Sequence, residues 1–150
     1  MNGRMTNPAA ALDATAAIQQ LYKPVCNGGV SPAILELVHL RAGQINGCSP
    51  CVDFGIEQLS ELGESAGWIG LVAAWCDTPY YSEEERAALA PAEAATRLAD
   101  RADAVNVEVW EAAAQFFDEK QLAGIVMMIA VTNLFNRLDA TARQQAGKAW

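Results

Sequence analysis

Apolar positions recur at helical spacing through most of the chain, and short runs of cap and breaker residues divide them into segments. Residues 9–21 carry Leu12, Ala16, Ile18 and Leu21 near a helical period, which predicts a first helix. Pro24 and Gly28-Gly29 predict a loop that holds Cys26. Ser31-Pro32 is a start signal, a hydroxyl cap followed by proline at the first helical position. The helix it opens is predicted to run to about residue 45, with Ile34, Leu37, Val38 and Ile45 on its apolar side. Asn46-Gly47 should stop it, because both residues tolerate the left-handed conformation of a helix terminus.

Cys48-Ser49-Pro50-Cys51 opens the next predicted helix, which ends near residue 62 before Gly63. Ser65 starts another through Trp68, Leu71 and Trp75, and Asp77-Thr78-Pro79 makes a turn. Ser82-Glu83-Glu84-Glu85 is a capping box, in which hydroxyl and carboxylate each serve the other residue's amide. Its helix should reach about residue 100, kinked or split at Pro91. Two more are predicted over 107–117 and from Glu119 to about 145, the latter capped by Asp118. Residues 125–131 are apolar on every side, which predicts that the last helix is the central buried one. The pattern contains no internal repeat and no low-complexity linker. It reads as one all-α domain of six to eight helices, with the C-x-x-C pair at the start of a helix near the middle.

The composition narrows the function. The chain has 150 residues, 52% hydrophobic and 19% charged, enough apolar material for a core. Eighteen Asp and Glu outweigh ten Lys and Arg, so a basic stripe for nucleic-acid phosphates is not expected. No apolar run was expected to be long enough to span a bilayer, and the first residues lack the pattern of a secretory signal. The expectation is therefore a cytoplasmic protein, where cysteines stay reduced and a close pair points to catalysis or metal binding rather than a structural staple.

Cys48 and Cys51 are that pair. Three residues apart on one helical turn, their sulfurs can join with little backbone movement. The helix N-terminus favours a thiolate, and a thiolate beside a second thiol can attack an oxidant and be resolved as a disulfide. Half a zinc site is the alternative. It is disfavoured because Cys26, Cys76 and His39 lie scattered without ligand spacing, so no metal and no cofactor are expected. Cys76 reads as a small buried hydrophobe and Cys26 as an exposed loop thiol. Glu36 lies on the preceding helix. In a hairpin turning at Gly47, at about 1.5 Å per residue, it falls at roughly the height of position 55, one turn after Cys51. Held there and partly buried, an acid can shuttle protons; the alternative is a solvated surface glutamate.

The stretch from Glu36 to Phe54, which contains Gly47-Cys-Ser-Pro-Cys-Val-Asp-Phe54, resembles the core motif of the alkylhydroperoxidase D-like, carboxymuconolactone decarboxylase family: a Glu, eleven residues, C-x-x-C, three residues, a His. Ala73-Ala74-Trp75, the segment from Pro79 to Ala90, and Asn133-Leu-Phe-Asn-Arg-Leu138 are similar to the family's flanks. The resemblance implies an all-helical fold that assembles as trimers or hexamers. It also implies thiol-dependent reduction of a hydroperoxide substrate, with an external dithiol as reductant. By that resemblance Cys51 is peroxidatic, Cys48 resolves it, and Glu36 supplies protons through the His and a water. The His position is Gly55 here. His39, the chain's single histidine, and Gln58, one turn beyond Gly55, are candidate substitutes. Weak peroxidase turnover is the expectation. The rival readings are a non-catalytic or redox-sensing helical oligomer and, less favoured because it does not depend on a C-x-x-C pair, a decarboxylase-like enzyme. Phe116-Phe117, Trp110 and the 125–131 run exceed what a small helical domain easily covers, which also points to a homo-oligomer.

Overall fold

The computed structural model describes residues 3–147. Among the described residues every regular element is helical: α1 (Pro8–Ala11), α2 (Thr15–Cys26), α3 (Pro32–Asn46), α4 (Ser49–Glu61), α5 (Ala66–Gly70), a 3₁₀ segment (Val72–Asp77), α6 (Glu83–Thr96), α7 (Val107–Ala114) and α8 (Glu119–Ala142).

The caps that start these helices are the ones written in the sequence. Ser31 Oγ accepts from the Ile34 amide, Ser65 Oγ from Trp68, and Asn106 Oδ1 from Val109. Ser82 and Glu85 exchange bonds as a capping box, and Asp118 and Gln121 form a second one. Stops and breaks are where expectation and structure part. The first helix is divided at Asp13, which takes φ +54°. α2 then runs through Pro24 to end at Cys26, so Cys26 belongs to a helix end rather than a loop. Pro24 removes one helical hydrogen bond and crowds the carbonyl four residues back, but with only two helical residues after it little of the helix is left to disturb. Pro91 is likewise absorbed inside α6, where it is buried, and the helix ends at Thr96 rather than near residue 100. α8 ends at Ala142, short of residue 145, with Arg143 as its C-cap at φ +52°.

The central helix is α3, not α8. Ten consecutive residues from Ile34 to Gly43 are buried, because α4, α6 and α8 pack around all sides of this one helix. Two apolar clusters share it. Val25, Ile34, Leu35, Val38, Ala113, Ile125 and Met128 join α2, α3, α7 and α8. Leu37, Leu40, Leu59, Val72, Tyr81 and Leu89 fill the opposite side. At about 25 cal/mol per Å² of apolar surface removed from water, such side chains supply most of the drive to fold.

α8 keeps an outward face on which Val126 and Met127 are exposed; Val107, Trp110 and Phe116 are exposed as well. By length and composition α8 is also apolar enough to cross a membrane, contrary to expectation, with an 18-residue window of mean hydropathy 1.3. Its other face packs on α2, α3 and α6.

An ion pair joins α3 to α6. The Arg41 guanidinium donates through Nε and a terminal nitrogen to Glu93 Oε2 at 3.0 and 2.8 Å, and Trp75 Nε1 donates to the same oxygen at 2.9 Å. Burial raises the Glu93 pKa, and these bonds outweigh it and lower it. Cys76 is exposed, correcting the expectation of a buried hydrophobe.

Candidate active site

The site is built on the α3–α4 hairpin. Gly47 turns it at φ +64°, a conformation that costs glycine nothing. Cys48 is the N-cap residue of α4, and Pro50 sits in the first turn, where no intrahelical donor is lost. Residues equidistant from the turn face each other. A Cβ on Gly43 would stand 3.3 Å from the Cβ of Cys51, and one on Gly55 would stand 3.2 Å from both His39 Cδ2 and Leu40 Cβ. The two glycines let the helices approach closely. Position 55 therefore faces residues 39 and 40, and Glu36 lies about one turn beyond position 55 rather than at its height.

Cys48 and Cys51 are joined as a disulfide, with Cα atoms 5.4 Å apart. Cys48 is 0% exposed and Cys51 4%. Cys51 Sγ lies 3.7 Å from Asp139 Oδ2, an oxygen brought in by α8. Asp139 is 1% exposed, and its Oδ1 accepts from Asn7 Nδ2 at 3.4 Å. The sequence reading passed over this residue, although a signal was present. Met128, Thr132, Asn136 and Asp139 recur at steps of four, four and three, so the acid continues the buried face of an apolar helix.

His39 is buried against the pair. Its Nε2 is 3.1 Å from the Cys51 carbonyl oxygen and its Nδ1 is 3.2 Å from Thr132 Oγ1. A carbonyl only accepts, so Nε2 carries the proton and Nδ1 accepts from the threonine hydroxyl. Burial holds the pKa of His39 down at about 4, against the opposing pull of the Cys51 carbonyl. The ring meets Phe54 edge-on, with centroids 5.7 Å apart. The imidazole thus fills the space that Gly55 leaves, entering from the opposite helix, with both nitrogens engaged by protein groups.

Glu36 is 8% exposed. Tyr22 of α2 donates its hydroxyl to Glu36 Oε1 at 3.2 Å, and Oε2 is buried with no hydrogen-bond partner. Burial pushes the carboxyl up to about 7, offset in part by the tyrosine bond. The Tyr22 hydroxyl is itself raised well above the ordinary range, first by burial and then by the glutamate's charge. Gln58 is not part of this group. Its side chain donates to Glu61 on the surface at 3.1 Å.

A cleft of about 900 Å³ opens over the pair. Ile18 and Tyr22 of α2, Cys51 and Phe54 of α4, and Phe135 and Asp139 of α8 form walls that also include His39, but neither Cys48 nor Glu36. Near one edge Asp53 accepts the Gly147 amide at 2.7 Å, fixing the chain beyond α8 to the rim. The ligand atoms of Cys48, Cys51 and Asp139 lie within 4.8 Å of one another, one donor fewer than a closed zinc site needs. In the disulfide the two sulfurs are bonded to each other and hold no metal as thiolates.

An α-helical fold carrying a redox-capable cysteine pair beside buried carboxyl groups is one class of protein. The sequence profile of the carboxymuconolactone decarboxylase family matches residues 12–94, more than half of the chain. The chain belongs to that family. It is 26% identical to the uncharacterised protein YdfG of Bacillus subtilis over 97% of its own length and 98% of that protein's. With the uncharacterised protein YnjA of Escherichia coli it shares 31% over 74% of this chain and 59% of the other.

A crystal structure from Agrobacterium tumefaciens superposes with a TM-score of 0.90 at 29% identity, over 99% of this chain and all of that one. That protein is of unknown function and has been proposed as an antioxidant defence protein, AhpD. The debrominase Bmp8 superposes at 0.79 with 20% identity, over 92% of this chain and 73% of its own, which reflects the shared fold alone.

Proposed function

We propose that this protein is a thiol-dependent hydroperoxide reductase of the AhpD-like type, working in the cytoplasm with an external dithiol as reductant. One observation carries the reading. Of the two joined cysteines, Cys51 lines the cleft, while Cys48 does not and is fully buried. A small oxidant entering the cleft meets Cys51 first.

The chemistry balances in three steps. The Cys51 thiolate attacks one oxygen of R–O–O–H; the O–O bond breaks, the sulfur becomes a sulfenic acid, and an alcohol leaves once its oxygen is protonated. The Cys48 thiol then attacks that sulfur, forming the S–S bond and releasing water. Finally a dithiol exchanges with the disulfide, is itself oxidised, and returns both thiols. Glu36, with a pKa near neutrality, holds a proton behind Tyr22, whose ring borders the cleft. The Nε2–H of His39 points at the Cys51 carbonyl, which cannot carry a proton onward to the sulfur, and this supports a modest turnover.

The test is hydroperoxide consumption coupled to dithiol oxidation. Cys51→Ser should abolish it. If Cys51→Ser consumes hydroperoxide as fast as the unaltered protein, the reading is wrong. A pair that oxidises and reduces without turnover would favour the redox-sensing alternative.

A further inference from the structure

Every peroxidatic cycle needs a group that takes the thiol proton and returns it to the departing oxygen. Three elements bring ionisable groups toward Cys51. From α3, His39 lies against its carbonyl with both ring nitrogens committed, and Glu36 lies behind Tyr22, outside the cleft wall. From α4, Asp53 and Glu57 reach the cleft, but the hydrogen bond of Asp53 goes to Gly147 at its edge. From α8, Asp139 Oδ2 stands 3.7 Å from the sulfur, and Asp139 lines the same cleft. Asn7 donates to its other oxygen and so helps fix the plane of the carboxylate.

From this juxtaposition we infer that Asp139 is a catalytic acid–base of the cysteine pair, the group that exchanges a proton with Cys51. The inference rests on the hydroperoxide-reductase reading and adds to it a residue on a different helix. When the pair is reduced, Oδ2 accepts the Cys51 thiol proton as the sulfur attacks. The O–O electron pair leaves on the alcohol oxygen, and the carboxyl returns the proton there, so the step ends with sulfenic acid, alcohol and carboxylate. In the reductive half the carboxylate takes the proton of the attacking dithiol and passes it to Cys51 as the S–S bond breaks. The titrating side chain that Gly55, one turn after Cys51, does not supply is replaced by an acid that α8 brings to the sulfur.

The experiment measures two quantities on reduced Cys48→Ser protein, with and without Asp139→Asn. One is the rate of sulfenic acid formation with an organic hydroperoxide; the other is the pH midpoint of iodoacetamide alkylation of Cys51. Removing the carboxylate should slow the hydroperoxide reaction roughly 100-fold or more, the range for loss of a general acid–base. It should also move the alkylation midpoint to lower pH, because a negative neighbour has gone. A more acidic thiol that reacts more slowly with peroxide is a combination that loss of packing does not produce.

An unchanged or faster hydroperoxide reaction overturns the role of Asp139 and leaves the peroxidase reading intact. If the unaltered protein consumes no hydroperoxide, that reading falls. The alkylation midpoints then decide alone: a shift keeps Asp139 as the proton partner of Cys51, and no shift removes it. Asp139→Ala carries the same measurements if Asp139→Asn fails to fold, since alanine favours the helix that ends at Ala142.

Discussion

Replacing Gly55 by alanine sets two effects of similar size against each other. In an ordinary helix interior the change stabilises by about 1 kcal/mol, because alanine gives up less backbone entropy than glycine. Here the added methyl would stand 3.2 Å from His39 Cδ2, 3.2 Å from Leu40 Cβ and 3.4 Å from Leu40 Cα. His39 is held at both nitrogens and Leu40 is fully buried, so neither yields cheaply. Overpacking of this kind costs about 1–3 kcal/mol. The net expectation is a loss of about 0–2 kcal/mol, and for a chain of this length each kcal/mol moves the melting temperature by about 2–4 °C. Urea unfolding of the oxidised protein at pH 7 reads the difference directly. Gly55→His, which restores the family's side chain at this position, should cost more than Gly55→Ala. His39→Ala in the same chain should recover part of that cost, giving a favourable coupling of about 0.5–3 kcal/mol. If Gly55→Ala instead stabilises by the full helix-propensity amount, or if His39→Ala shows no coupling with Gly55→His, then the imidazole does not occupy that space and the reasoning fails.

The remaining predictions concern charge and sulfur chemistry. The Glu36 carboxyl is raised from 4.5 to about 7, so between those values the unfolded chain has lost a proton that the folded one keeps, and stability falls with rising pH by about 3 kcal/mol. His39, lowered from 6.5 to about 4, has the opposite slope, because the unfolded chain binds the extra proton between those values and stability rises with pH. The two largely cancel in the intact protein. Glu36→Gln should therefore expose a rise of about 3 kcal/mol from pH 4 to 6.5, read by denaturant midpoints across pH; parallel curves for the two proteins would refute the assignment. Cys48→Ser should leave Cys51 reactive but halt it at the sulfenic acid, visible as accumulation of dimedone adduct after one equivalent of hydroperoxide. An adduct at Cys48 in the Cys51→Ser protein instead would reverse the order of attack.

Much of the helical frame is legible in the chain because its causes are local. Ser31-Pro32, Ser65, Ser82 with Glu85, and Asp118 each start a helix by satisfying amides within three residues, and such bonds need no knowledge of what lies across the fold. The C-x-x-C pair is equally local: one helical turn brings its sulfurs together. Helix ends and proline tolerance were misjudged because packing decides them. Pro24 and Pro91 stay helical, since neighbouring helices supply more than one missing hydrogen bond removes.

The sequence by itself determined an all-α chain with two cysteines at one helix start and an acid on the helix before it. It also supplied a glycine where the motif it resembles has histidine. Only the tertiary structure decided that α3 is the enclosed helix, and that His39 enters the space at Gly55 with both nitrogens committed. It alone brought Asp139, 88 residues along the chain, against Cys51. The physical reason is range. Caps and one-turn pairs are fixed by bonds between near neighbours, whereas which faces meet depends on how all the apolar surfaces are buried at once, and no short stretch of sequence encodes that sum.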